Sequence, residues 1–211
     1  MDNGSLYNNY VKRIVDLTIS LILFVILLPF LLIIALFIRF DSVGPIIYSA
    51  LRGGYHDIPF KILKFRTMVV DADKIGGNTT ALNDPRITKV GKILRATKLD
   101  ELPQLLNIIK GEMSFVGPRP EVLAYTSKYT EEEKRILSVR PGITDISSLK
   151  YISLDEVVGA VDADEYYEKH VLYHKNLLRL EYVDKQSFSL DAKLFFLTMW
   201  GVFKKIFKLF K

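Results

Sequence analysis

"LTISLILFVILLPFLLIIALFI", residues 17–38, runs for 22 residues without a charge. At about 1.5 Å per residue a straight helix of that length reaches roughly 33 Å, enough for the ~30 Å hydrocarbon core of a bilayer. Pro29 falls near the middle, where it removes one backbone hydrogen bond and crowds the carbonyl four residues earlier, so the spacing predicts a kink or a break. Two forms fit: a kinked spanning helix, or two halves of about 15–18 Å each that dip into one leaflet and return. Lys12 and Arg13 precede the run, and Arg39, Arg52, Lys61, Lys64 and Arg66 follow it. Positive charge on both flanks weighs toward both ends being cytoplasmic. The run is too long for the ~7–15-residue core of a secretory signal, and no small-residue cleavage site follows.

Outside that block the chain reads as a soluble domain. It has 211 residues, 49% of them hydrophobic, with a net charge of +5 that points to anionic partners: headgroups, nucleic acid or a phosphorylated small molecule. There is no cysteine, which excludes disulfides, thiol catalysis and thiolate metal sites. "PIIYSALRGG" and "FKILKFRTMVV" alternate apolar and polar residues around Gly53-Gly54, predicting a strand pair in which Lys64 and Arg66 share a face. Residues 71–88, with paired glycines and an Asp-Pro step, read as a loop that could serve as a lid. "TKVGKILRATK" reads as a helix with a basic ridge of Lys89, Lys92, Arg95 and Lys98, and "PQLLNIIKGEMS" as a short helix opened by Pro103 and closed by Gly111. "FVGPRPE" is too proline-rich for regular structure, "TEEEKRILSV" resembles a helix start, and "RPGIT" is a turn. "DADEYYEKHVLYHKNLLRLEYVDK" is mostly helical, and the terminal "LDAKLFFLTMWGVFKKIFKLFK" sets Lys204, Lys208 and Lys211 against aromatic residues like an interfacial helix.

"KLDELPQ", residues 98–104, places Asp100 and Glu101 side by side. Acids ahead of Pro103 could simply open the next helix. The setting also allows chemistry, because residues 89–119 hold six cations and three acids. Adjacent carboxylates on a turn face different ways and could do different jobs. An aspartate ionised at neutral pH can attack phosphorus without a base, provided Mg²⁺ and guanidinium groups screen the repulsion. Arg119, stiffened between Pro118 and Pro120, is the candidate clamp, and Arg140 before a Pro-Gly turn is similar though more often structural. Rival signals are Asp71 and Asp73 in "VVDAD", an Asp-x-Asp pattern of metal-dependent glycosyltransferases that would release UDP, and His170 with His174, spaced as zinc ligands can be but lacking a third. A non-catalytic membrane-tethered binding module is a further alternative.

Taken together, "LKFRTM", "DPRITKVGKILRATKLDELPQLLNIIKGEMSFVGPRPE" and "SVRPGIT" resemble the bacterial sugar transferases known as polyprenyl-phosphate hexose-1-phosphate transferases, or monotopic phosphoglycosyl transferases, of the small type. The likeness covers roughly residues 8–200. It implies an α+β fold, mainly helical with a small sheet: a proline-broken re-entrant membrane helix (1–40, broken near Pro29), a cytoplasmic catalytic domain (41–190) and a basic amphipathic interfacial helix (191–211). It implies transfer of a sugar-1-phosphate from a UDP-sugar to undecaprenyl phosphate with release of UMP, starting lipid-linked glycan assembly at the cytoplasmic face of the bacterial inner membrane. Asp100 would be the nucleophile and a Mg²⁺ contact, with Glu101 its catalytic partner. Arg95 and Arg119 would organise phosphates, with Lys64, Arg66 and Arg140 as further phosphate-binding candidates. Membrane lipids are implied partners, nucleic acid is not, and a homodimer is one option for assembly. The chain departs from the family at "GITDISSLKYIS", where many members read "GITGLAQVNGR", a region expected near the sugar or nucleotide.

Overall fold

The computed structural model describes residues 7–209 apart from 76, 78, 82–83, 152–153, 155–156 and 158–161. After a π turn over Tyr7–Val11, helix α1 runs over Lys12–Asp41 with Pro29 inside it. The helix continues past the proline without interruption, so the expected break at Pro29 is not seen: the turns on either side supply enough backbone hydrogen bonds to carry the helix across the one the proline lacks. Ser42 to Pro45 end it, with Gly44 at φ +128°, a value open to glycine but not to residues with a Cβ.

One face of α1 is buried along its whole length. Lys12, Asp16, Ser20, Leu31, Ile34 and Ile38 are buried, and Leu23, Phe24 and Leu27 are partly so, at spacings of three and four. The opposite face, including Ile22, Val25, Ile26, Leu32, Ile33 and Phe37, is exposed and apolar. The helix is long and apolar enough to cross a membrane. Both of its ends are nevertheless tied to the domain that follows. At the start, Arg13 Nη1 and Nη2 donate to the carbonyls of Ile108 and Ile109 at 2.5 and 2.8 Å, and Lys12 pairs with buried Asp191. At the finish, Arg66 Nη2 donates to Ser42 O at 2.7 Å and Asp41 accepts from Val90 N at 3.1 Å.

Strands β1 (Ile47–Arg52) and β2 (Phe60–Phe65) form the expected antiparallel pair, Ile47 opposite Phe65 and Arg52 opposite Phe60. Helix α2 (Lys89–Thr97) starts where Thr88 Oγ1 accepts from Gly91 N at 3.0 Å, and α3 (Gln104–Lys110) follows Pro103 and stops at Gly111, φ +87°. Phe60 and Ile62 of β2 pack with Leu105 and Ile108 of α3 against Leu23, Phe24 and Leu27, while Leu94 and Phe65 meet Leu31, Ile34 and Ile38. Helix α1 thus contributes to both of these cores.

A second sheet was not foreseen. Strands β3 (Ser114–Val116) and β4 (Gly142–Thr144) pair in parallel, within stretches read as irregular and as a turn. They approach so closely that a Cβ on Gly142 would lie 2.1 Å from Gly117 N. "TEEEKRILSV" forms a 3-10 turn over Glu133–Ser138, opened by reciprocal bonds between Thr130 and Glu133. Helix α4 (Ile146–Lys150) is capped by Asp145, and helix α5 (Leu172–Lys185) leads to α6 (Phe188–Leu209). Helix α6 buries Leu194 inward and exposes Phe196, Met199, Trp200, Phe203 and Phe207, with Lys204 Nζ 5.4 Å from the Trp200 ring. The Lys208 side chain and Lys211 lie outside the described residues.

Candidate active site

The turn between α2 and α3 carries Asp100 and Glu101, and its backbone explains their aim. Gly91 lets α2 press on the end of β2, since a Cβ there would meet Thr67 O at 2.1 Å. Helix α2 then stops at Lys98 in the left-handed region (φ 60°, ψ 13°), and one 3-10 turn spans Leu99–Glu101. Residues three apart eclipse in a 3-10 turn, so Leu99 and Leu102 fall on one side, where both pack against the α1 core. The two acids between them turn the other way. Neither caps α3, whose first turn has no side-chain cap, so the helix-opening role leaves the pair unexplained.

The two carboxylates live in different surroundings. Glu101 accepts from Arg119 through both of its oxygens, one at 3.1 Å, and from Lys64 Nζ at 3.1 Å. Burial alone would raise its pKa, but the Arg119 guanidinium and the Lys64 ammonium outweigh it and hold Glu101 well below the usual carboxylate range. Glu101 in turn raises Arg119. Asp100, 6% exposed, has a buried Oδ1 with no hydrogen-bond partner. Burial, with adjacent Glu101, pushes its carboxyl up, while Lys64, Lys98 and Arg95 pull it back. Neighbouring acids driven in opposite directions are a pattern of acid-base and nucleophilic sites.

Both acids line a cavity of about 1340 Å³. Lys64, Arg95, Lys98 and Arg119 bring positive charge to it, and Leu23 and Leu27 of α1 with Phe195, Met199, Val202 and Ile206 of α6 supply an apolar wall. Arg95 donates Nη2 to Thr80 Oγ1 at 2.7 Å and leaves Nη1 buried and unpartnered. Asp100 and Arg95 both line the cavity, and each keeps one buried polar atom without a partner, an arrangement for a cation and an anion brought from outside. Among the described residues no group of three His, Asp or Glu could hold a metal. A Mg²⁺ ion does not need one, because it commonly takes one or two carboxylates and completes its shell with phosphate oxygens and water. Asp100 Oδ1 fits that role.

The other predicted residues divide. Lys64 and Arg119, expected as phosphate binders, both line the cavity and both pair with Glu101. Arg66 does not follow Lys64: it lies just past β2, and its Nη groups donate to Ser42 O, Ser42 Oγ and Val43 O at 2.7, 3.0 and 3.0 Å. Its guanidinium closes the end of α1, while the residue also lines the cavity. Arg140 is elsewhere, donating Nε to Gly111 O at 3.1 Å with its guanidinium 4.8 Å from the Tyr55 ring, and it does not line the cavity. Asp71 is exposed and pairs with Lys74, while the Asp73 side chain lies outside the described residues. His170 and His174 are exposed, beside Tyr166 and Tyr173.

Sequence reasoning missed the network beneath Arg119. Glu121 meets Arg179 Nη2 at 2.5 Å and Lys175 Nζ at 3.5 Å, and accepts from Tyr167 Oη. Asp145 accepts from Arg119 N at 3.1 Å and from Ser148 N at 2.6 Å. Burial would raise Glu121, but Arg179 and Lys175 bring it to about 2, and burial lowers Lys175 to about 8 despite Glu121. The Glu after "GPRP" was the available signal; Arg179, 58 positions away, offered none.

A family model described as bacterial sugar transferase matches residues 7–205. The UDP-glucose:undecaprenyl-phosphate glucose-1-phosphate transferase of Escherichia coli (strain K12) is 37% identical over 200 residues, covering 93% of this chain and 41% of that protein. The undecaprenyl-phosphate glucose phosphotransferase of Komagataeibacter xylinus is 37% identical over 195 residues, 89% of this chain and 35% of the other. A Bacillus subtilis (strain 168) protein named uncharacterized sugar transferase EpsL is 35% identical over 188 residues, 89% and 85% of the two chains. The chain therefore spans about two fifths of the Escherichia coli relative, and most of EpsL. With the family model matched almost end to end, this chain belongs to the bacterial sugar transferase family.

Proposed function

We propose that the protein transfers a sugar-1-phosphate from a UDP-sugar to undecaprenyl phosphate and releases UMP. The observation that carries the reading is Asp100: a buried carboxylate with an unpartnered oxygen, on a cavity lined by cations and by apolar residues of α1 and α6. A water-soluble nucleotide and a lipid phosphate can meet only in such a place. The names of the Escherichia coli and Komagataeibacter relatives support the acceptor.

In this reading an Asp100 oxygen attacks the β-phosphorus of the donor, the bond from that phosphorus to the bridging oxygen breaks, and UMP leaves with the oxygen. The phosphosugar is held on Asp100 as an acyl phosphate. An oxygen of the lipid phosphate then attacks the same phosphorus, and the Asp100 carboxylate departs unchanged. Glu101 holds Arg119 and Lys64 in place, so that their positive charge faces the transferred group in both steps. Arg95 can offer Nη1 to a phosphate oxygen. Mg²⁺, held by Asp100 Oδ1, would neutralise phosphate charge.

Helix α1 would seat the enzyme in the cytoplasmic leaflet of the inner membrane. Its two ends are fastened to one domain, which supports both lying on one side of the bilayer, as a re-entrant element requires. The test uses detergent-solubilised protein with undecaprenyl phosphate, Mg²⁺ and a panel of UDP-sugars, following UMP. Wild type should release UMP with at least one donor and Asp100→Asn with none. Equal rates for the two would remove Asp100 as nucleophile, and release of UDP would replace the mechanism with direct glycosyl transfer.

A further inference from the structure

The cations around the acidic pair are not equally occupied. Lys64 and Arg119 both give their charge to Glu101, and Arg119 also donates to Ile143 O at 2.8 Å. Arg95 has one nitrogen on Thr80. Lys98 lines the same cavity, yet its Nζ forms no hydrogen bond or ion pair with a described residue. Four positive groups face two carboxylates, which leaves a surplus of two charges before any metal or substrate enters. A diphosphate joining a nucleoside to a sugar carries two negative charges.

The backbone adds a second, independent observation. Lys98 ends α2 with φ 60°, a conformation that strains a residue with a Cβ and that helices usually give to glycine. The next helix, α3, does use glycine at that position, Gly111. The stop after α2 therefore needs no lysine; what the lysine adds is an ammonium group two residues before Asp100.

We propose that Lys98 is a phosphate-binding residue, joining the unpartnered Nη1 of Arg95 on the oxygens of the phosphoryl group positioned at Asp100. This rests on the phosphosugar-transfer reading above. The phosphate can be the donor diphosphate or the lipid phosphate, and the two halves of the reaction separate them.

Three variants test it: Lys98→Met removes the charge, Lys98→Arg keeps it, and Lys98→Gly removes the charge together with the strain. One arm mixes enzyme with UDP-sugar alone and measures the UMP burst and sugar label retained on the protein. The other varies undecaprenyl phosphate in steady state. Lys98→Met should lose on the order of 10–100-fold in kcat/KM, the scale of a lost hydrogen bond to a charged group, in the burst if the donor is bound and in the acceptor arm if the lipid phosphate is. Lys98→Arg should recover most of it, and Lys98→Gly should be as impaired as Lys98→Met while melting no lower than wild type. Wild-type kinetics for Lys98→Met in both arms, or losses that merely track a lower melting temperature, would overturn the assignment. A wild-type enzyme releasing no UMP from any donor would instead overturn the transfer reading, and this inference with it.

Discussion

Glu121→Gln probes the support beneath the Arg119 clamp. The Glu121 side chain is 12% exposed, so solvent screens its partners little. Its carboxyl moves from an ordinary 4.5 to about 2 because Arg179 and Lys175 overcome the burial that opposes ionisation. At ~1.4 kcal/mol per pH unit that displacement is worth about 3 kcal/mol. The folded-state value lies below the unfolded one, so the stabilisation is complete above about pH 4.5 and fades as pH falls toward about 2. Glutamine supplies none of it and leaves Arg179 and Lys175 buried without their main counter-charge, which places the cost near neutral pH in the range of about 3–5 kcal/mol for a broken buried pair. Chemical unfolding in detergent, followed by far-ultraviolet circular dichroism, measures the difference between wild type and variant from pH 7 to pH 3. The gap should be at least about 3 kcal/mol at pH 7 and narrow steadily below pH 4.5. A gap that stays constant over that span, or a variant as stable as wild type at pH 7, would refute the reasoning.

Arg119→Lys puts one ammonium where a fork now serves both Glu101 oxygens and the Ile143 carbonyl; UMP release should fall by on the order of 10–100-fold, and an unchanged rate would mean the bidentate geometry is idle. In Gly91→Ala the new methyl meets Thr67 O at 2.1 Å, so α2 must retreat. Stability should drop by about 1–3 kcal/mol and turnover should fall with it, since Arg95 and Lys98 move too. Chelation of divalent ions should stop UMP release and added Mg²⁺ should restore it; full activity in excess chelator would leave Asp100 Oδ1 without the ion argued for it.

Pro103 and Gly111 bracket α3 where their backbone preferences say they should, and the β1–β2 pair follows from alternation around Gly53-Gly54. These features are local, which is why they can be read from neighbouring residues. Strands β3 and β4 are three residues each, too short to show a period, and what brings them together is the contact between Gly117 and Gly142. The site shows the same division. A dense positive setting marked Asp100 and Glu101, and prolines on both sides marked Arg119. Arg66 and Arg140 looked equivalent to Arg119 because sequence displays a guanidinium but not the carbonyls that will accept its hydrogen bonds. Glu121 and Arg179 are 58 positions apart, so only the packed chain could pair them.

Leu99 and Leu102 rest on the same cluster as Leu31, Ile34 and Ile38. On the proposed membrane seating, the height of the acidic pair relative to the headgroups is inherited from the helix itself and owes nothing to the length of any tether. Wherever α1 settles in lipid, Asp100 goes with it. Deleting the first forty residues to obtain a water-soluble fragment would strip away one wall of the protein's interior, and a foreign apolar anchor in its place would hold the remainder at the membrane with the reaction centre out of register.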